Sequence, residues 1–131
     1  MLTIPSLIFD EMMAHCKAGL PDEACGILAG TGSKVSKLYG MSNTEPSPVS
    51  YFMDPAEQFA AMKDMRNNGL SMLAIFHSHP ASEAFPSAKD VGLAFYDNAA
   101  YVIVSLMRER PEVKAFSIKE NKVREIAFKI S

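Results

Sequence analysis

The chain is expected to fold as an α/β (α+β) protein, a mixed β-sheet flanked by helices. Two observations carry this expectation. Short apolar runs bounded by Gly, Pro and Asn turn signals alternate with capped helical segments in the first two thirds of the sequence. Three strand-like runs then follow one another through short turns, which favours antiparallel pairing there and argues against an all-parallel, doubly wound sheet. With 131 residues, 48% of them apolar, the chain is expected to form one domain spanning 1–131.

The elements can be taken in order. Ser6–Ala18 reads as a helix, with Pro5 ahead of it and Gly19 placed to end it. Cys25–Gly30 is a short apolar run that suits a buried strand, and Thr31-Gly32-Ser33 turns the chain into a returning strand, Val35–Met41. Ser42–Ser50 is a loop by composition, and Tyr51–Met53 is expected to pair briefly as an edge strand. Asp54-Pro55-Ala56-Glu57 opens a second helix, with Asp54 as cap, Pro55 at the first helical position and Glu57 as capping-box partner. Phe59, Met62 and Met65 recur at a helical interval and predict its apolar face, and Asn68-Gly69 closes it.

Leu70–His79 is apolar and ends at Pro80, so it is expected to be a central strand. A loop, Pro80–Pro86, leads to another capped helix beginning at Ser87. Tyr101–Met107, Val113–Lys119 and Val123–Ile130 are the three closing strands.

Composition excludes several classes of function. A formal net charge of −2 provides no basic field to hold nucleic acid or anionic lipid. The N-terminus has no basic region and meets Asp10 and Glu11 where a signal peptide would stay apolar. The longest strongly apolar stretch, Ala99–Met107, is far shorter than the ~20 residues of a spanning helix. No membrane role is expected. Cys16 and Cys25 are too few for a disulfide scaffold, and a reducing, cytoplasmic setting is expected. Nine methionines read as flexible core filler.

Chemistry concentrates in His77-Ser78-His79-Pro80, Ser87 and Asp90. Side chains at i and i+2 of a strand share a face, about 6.6–6.8 Å apart along it. His77 and His79 can therefore converge on one zinc ion while Ser78 points away. Asp90, in the first turn of the following helix, can swing back as a third ligand, leaving the fourth position open as in catalytic zinc sites. Ser87-x-x-Asp90 is also a capping box, and a residue at a helix start can cap and face a ligand at once. His15 lies away from these residues and reads as a boundary residue. Cys25 reads as a buried core thiol on the strand face that Glu23 could share.

The full string H-S-H-P, six residues, then S-x-x-D resembles the zinc signature of the JAMM metallopeptidases, also called MPN+ or JAB domains. The resemblance extends upstream to Pro21-Asp22-Glu23-Ala24-Cys25-Gly26-Ile27-Leu28-Ala29-Gly30, similar to that family's P-x-E-x-x-G-x-L-x-G segment. It continues through Ser47-Pro48, Tyr51, Met53-Asp54-Pro55 and Gly69-Leu70. What it implies is a three-layer architecture related to that of the cytidine deaminases, and a Zn2+ cofactor held by His77, His79 and Asp90. It further implies Glu23 as general base toward a metal-activated water and Ser87 as donor to the oxyanion. Read on its own, Glu23 would be a solvated loop residue.

The implied reaction is hydrolysis of a peptide or isopeptide bond after the C-terminal tail of a ubiquitin-like or sulfur-carrier protein with a Gly-Gly-type end. Release of cysteine from a carrier C-terminus is one form of it. The chain has little room for insertions that would grip a ubiquitin chain, which favours a small carrier. The alternative is a non-catalytic MPN-type protein-binding scaffold, whose relatives lose ligands or the glutamate; none is missing here. A zinc deaminase would need H-x-E and P-C-x-x-C, and neither is present.

Overall fold

The computed structural model describes residues 1–131. Its elements run β1 (Leu2–Ile4), α1 (Ser6–Ala18), β2 (Cys25–Thr31), β3 (Lys34–Met41), α2 (Pro55–Asn67), β4 (Ser71–His79), α3 (Ala88–Gly92), β5 (Ala100–Ser105), β6 (Glu112–Lys119), β7 (Lys122–Ile126) and β8 (Phe128–Ile130). All eight strands form one sheet in the order β7-β6-β5-β4-β2-β3-β1-β8. β4 lies at its middle, antiparallel to β2 and parallel to β5. The mixed α+β class expected from the sequence is the class observed.

The sheet separates two cores by the period-two alternation of its strands. One face packs Leu28, Ala74, Phe76, Val102 and Val104 against Met12 and Cys16 of α1. The other packs Cys25, Ile27, Ile75, Ile103 and Phe116 against Ala61 and Met65 of α2, with Val91 of α3 at its margin. Helix, sheet, helix is the three-layer arrangement. Within the sheet the neighbouring strands crowd Gly26 so closely that a β-carbon there would collide with the Phe76 ring of β4 and meet the Tyr39 carbonyl oxygen of β3 at 2.6 Å. The β2–β3 turn needs the left-handed conformation of Gly32, at φ +62°.

The tertiary structure departs from the sequence expectations in five places. Leu2–Ile4, unassigned in sequence, forms β1 by parallel pairing with both β3 and β8. The single strand expected over Val123–Ile130 splits at Ala127: β7 pairs with β6, while β8 pairs with β1 at the opposite end of the order. The two outer strands are thus joined by one residue and meet within about 7.6 Å, because each Cα step is ~3.8 Å. The sheet curls around α1 as a result, and both Ile126 and Phe128 pack on the α1 core.

Of the face expected for α2, Met65 is buried and Met62 packs half-buried on the same core, but Phe59 is 70% exposed and Ala61 is buried instead. Glu57 does not complete a capping box with Asp54. Asp54 accepts from the Ala56 and Glu57 amides, while the Glu57 carboxylate accepts from the Ser42 amide (2.6 Å) and hydroxyl (2.8 Å), holding the end of β3 to α2. Tyr51–Met53 makes one bridge, Met53 to Asn43, instead of a strand. The last helix, α3, begins after its expected cap, Ser87, and is only five residues long.

Candidate metal centre

The C-terminal end of β4 carries His77 and His79 out of the sheet on the α2 face, as their spacing predicts. Both are buried. A tight loop, residues 80–87, returns the chain so that α3 starts opposite them. The Ser87 hydroxyl accepts from the Asp90 amide (3.1 Å) and the Asp90 carboxylate accepts from the Ser87 amide (2.9 Å). This reciprocal cap fixes Asp90 on the first turn. Its Oδ2 lies 3.1 Å from His77 Nε2 and 3.0 Å from His79 Nε2, and the two nitrogens are 3.1 Å apart.

Three ligand atoms so placed form a nearly equilateral triangle. A tetrahedral zinc ion with bonds of about 2.0–2.1 Å has edges of about 3.3 Å, so a small outward shift of each side chain accommodates the ion above the triangle. The hydrogen bonding of His79 suits it too. Its Nδ1 donates to the Glu83 carbonyl at 2.7 Å, so the neutral ring carries its lone pair on Nε2, facing the triangle. Burial opposes the charged ring, but the bonds to Asp90 and the Glu83 carbonyl hold it above the usual imidazole range. Burial holds His77 below the usual imidazole range and neutral, and its Nδ1 has no partner. Burial alone would raise the Asp90 carboxyl, but hydrogen bonds from the two imidazoles and the Ser87 amide overcome it and hold the group well below the ordinary range. Two imidazole nitrogens and a carboxylate oxygen, all within 4.8 Å of one another, are the donor set of a divalent ion such as zinc, which would displace the imidazole protons shared with Asp90.

The loop is held on its far side as well. Ser105, buried at the end of β5 and in register with His79, donates to the Ser82 carbonyl at 2.7 Å, and the Leu106 amide donates to the His79 carbonyl. Arg108 forms two hydrogen bonds with the Glu83 carboxylate, at 2.8 and 3.1 Å, on the exposed rim. On the opposite side Tyr51 stacks on His77, with ring centroids 4.6 Å apart. Sequence reasoning missed Tyr51, Glu83 and Ser105. Tyr51 stood within the segment similar to the family pattern, whereas a backbone carbonyl such as that of Glu83 leaves no sequence signal.

Glu23, just before β2, is not the solvated loop residue its local sequence suggests. It is 4% exposed, and its Oε1 has no hydrogen-bond partner. Burial pushes its carboxyl up to about 7, a rise that His79 opposes, Asp90 reinforces and Lys89 opposes. The carboxyl therefore lies close enough to the His/Asp group to feel its charges. Such a carboxyl can hold or release a proton near neutral pH. Ser87 is exposed at the same mouth, and its capping bond uses an oxygen lone pair, so its proton stays free to donate.

Cys25 does not join this group. Its thiol is wholly buried in the α2-side core, and burial pushes it up to about 12. His15 is a boundary residue, with Nε2 donating to the Cys25 carbonyl at 2.9 Å and its ring edge-on to Phe76.

The curled sheet between α1 and α2, with a His-x-His strand end facing a capped Asp, defines a JAB/MPN-type protein. The family model of prokaryotic homologs of the JAB domain matches residues 5–119. The chain belongs to this JAB (JAMM/MPN+) family. It is 37% identical over 127 residues to the CysO-cysteine peptidase of Mycobacterium tuberculosis, covering 95% of this chain and 87% of that protein. It is 36% identical to the desampylase of Pyrococcus furiosus, covering 79% of this chain and 73% of the relative.

Among solved structures, protein DSY2949 from Desulfitobacterium hafniense is 43% identical, with a TM-score of 0.90 over 100% of this chain and 93% of that one. AF2198, a JAB1/MPN domain protein from Archaeoglobus fulgidus, shares the fold at 18% identity and a TM-score of 0.68, over 99% of this chain and 97% of its own. No helix of the chain is long and apolar enough to cross a membrane.

Proposed function

We propose that this chain is a zinc-dependent peptidase that cleaves the peptide or isopeptide bond after the Gly-Gly-type C-terminal tail of a ubiquitin-like or sulfur-carrier protein. The observation that carries the reading is the convergence of His77, His79 and Asp90 within 3.1 Å beside a buried, proton-holding Glu23. Relatives named for cleaving such carriers support the substrate class. Release of cysteine from a carrier C-terminus is one form of the reaction.

His77, His79 and Asp90 would hold the zinc ion. When bound, zinc supplies Lewis acidity, bringing the pKa of a coordinated water to about 7 and polarising a carbonyl. Glu23 takes up a proton in the cleft and returns it to the leaving amine. A carboxyl with a pKa near the working pH does this well, and such a base contributes about 10²–10⁴-fold. Ser87 donates a hydrogen bond from its hydroxyl to the oxyanion that develops on the substrate carbonyl. Tyr51 covers the outer face of His77 and helps keep water from that side of the site.

Beside Tyr51 lies an apolar groove of about 240 Å³ formed with Phe52, Leu93, Phe95 and Tyr96. It is open to the apolar side chains of an extended tail, while glycines at the tail's end pass closest to the buried histidines. The free, buried Cys16 and Cys25 suit a reducing cytoplasm, and one catalytic domain over 1–131 suffices for the reaction.

The test is mass spectrometry of ubiquitin-like and sulfur-carrier proteins bearing C-terminal extensions, incubated with the zinc-loaded protein with and without a chelator. Cleavage directly after Gly-Gly, abolished by the chelator, is expected. A zinc-replete protein that cuts no such tail would overturn the reading and leave the scaffold alternative.

A further inference from the structure

Ser78 sits between the two histidines, on the sheet face turned away from them, and the chemistry above gives it no work. The strand register shows what it does. β2 and β4 are antiparallel with Cys25 opposite His77 and Gly26 opposite Phe76, so the next rung would pair Ala24 with Ser78. In a regular rung of this type the two residues exchange backbone bonds, amide to carbonyl in both directions. Here only one is regular: the Ser78 amide donates to the Ala24 carbonyl at 3.0 Å. The return bond runs from the Ala24 amide to the Ser78 side-chain hydroxyl at 2.8 Å. A side chain has replaced the backbone acceptor, and at this rung the chain leaves the β2 ladder.

Glu23 is the residue that this exchange delivers. Ala24 packs in the α1-side core, and Glu23, one residue before it, alternates to the face of His77 and His79. Its remaining backbone groups are also held. The Glu23 amide donates to the Ser47 carbonyl at 2.8 Å, and its carbonyl accepts from the Asn43 side-chain amide at 3.0 Å. The carboxyl itself has one wholly unpartnered oxygen, so backbone anchoring, and no side-chain bond to that oxygen, sets where it points. Ser78 is fully buried, and the bond it makes is shielded from water.

We propose that Ser78 is the positioning residue for Glu23: its hydroxyl locks the Ala24 amide and so fixes the carboxyl at a set distance from the His77/His79 pair. One tripeptide then holds the metal through its outer residues and aims the base through its middle one. The effect on turnover rests on the reading of Glu23 as base; the lock itself does not.

The experiment compares wild type, Ser78→Ala and the hydroxyl-keeping Ser78→Thr, all zinc-loaded, with Glu23→Gln as control. Four quantities are measured: exchange of the Ala24 amide by NMR, zinc affinity by competition with a chromophoric chelator, and kcat and KM on a fluorogenic amide of a Gly-Gly-ended peptide. Ser78→Ala is expected to speed Ala24 exchange at least about 10-fold and to lower kcat by about 10- to 100-fold, the loss expected of a small misplacement. Zinc affinity and KM should stay within about threefold, and Ser78→Thr should recover both exchange protection and kcat.

An Ala24 amide equally protected in Ser78→Ala, or a freely exchanging one with unchanged kcat, would overturn the proposal. If Ser78→Ala does not fold, Ser78→Cys, with its weaker sulfur acceptor, must show the same two losses to a smaller degree. Retained turnover in Glu23→Gln would instead remove the base reading, and failure of wild type to cut the probe would count against the proposed function. In either case the exchange measurement alone decides the lock.

Discussion

Replacing Glu23 by Gln should stabilise the metal-free protein by an amount that grows from about pH 4.5 and is complete above about pH 7. The carboxyl is buried, one oxygen has no partner, and burial raises it from 4.5 to about 7. Since the folded pKa lies above the unfolded one, the protonated carboxyl is the form the fold prefers. Its contribution is full below about pH 4.5 and is lost as pH rises through 7, where folding must hold a buried carboxylate. A rise of this size corresponds to at most ~3.4 kcal/mol at 1.36 kcal/mol per pKa unit. Solvent reaching the cleft screens part of it, which leaves about 2 kcal/mol.

Glutamine stands in for the protonated carboxyl at every pH. With an unfolding entropy of about 2.1 cal/mol/K per residue, 2 kcal/mol amounts to about 7 °C in this chain. Scanning calorimetry of chelator-treated protein should place Glu23→Gln about 7 °C above wild type at pH 8, with the gap closing toward pH 4. A gap independent of pH, or a glutamine variant less stable at pH 8, would refute the assignment of Glu23 as a buried, orphaned carboxyl.

Other substitutions test the remaining geometry. His77→Ala and Asp90→Asn should each lower zinc content, measured by atomic emission, from about one ion per chain to near zero, since either removes one of only three ligands. Ser87→Ala should lose about 1 kcal/mol of helix cap in a denaturant titration, and kcat should fall by about 10²-fold through the missing oxyanion donor. Ser87→Asn, which keeps a capping acceptor, should recover the stability without the rate. Gly26→Ala should destabilise the fold by about 2 kcal/mol or more, because its β-carbon would meet both the Phe76 ring and the Tyr39 backbone; an unchanged denaturation midpoint would contradict that packing.

What the sequence determined by itself is what depends on neighbours a few residues away. A period of two put His77 and His79 on one face, and Ser87 and Asp90 made a reciprocal cap because its partners are three positions apart. Asp54 capped α2 for the same reason. The composition of α2 misled, since Phe59 met the helical period yet faces solvent; which stripe is buried depends on the sheet beneath it.

Tertiary structure alone decided everything that rests on a distant partner. The run 123–130 read as one strand, but hydrogen bonding to β6 at one end and β1 at the other split it and curled the sheet. Glu23 lies 54 positions from His77 and looked solvated. It became a buried carboxyl because the β2–β4 register, the Ser78 hydroxyl and the Asn43–Ser47 loop carry it into the cleft, where lost hydration raises its pKa. The His77, His79 and Asp90 group was legible because spacing is a local property. The protonation state of the residue beside them was not, because it depends on how much water the assembled fold leaves around it.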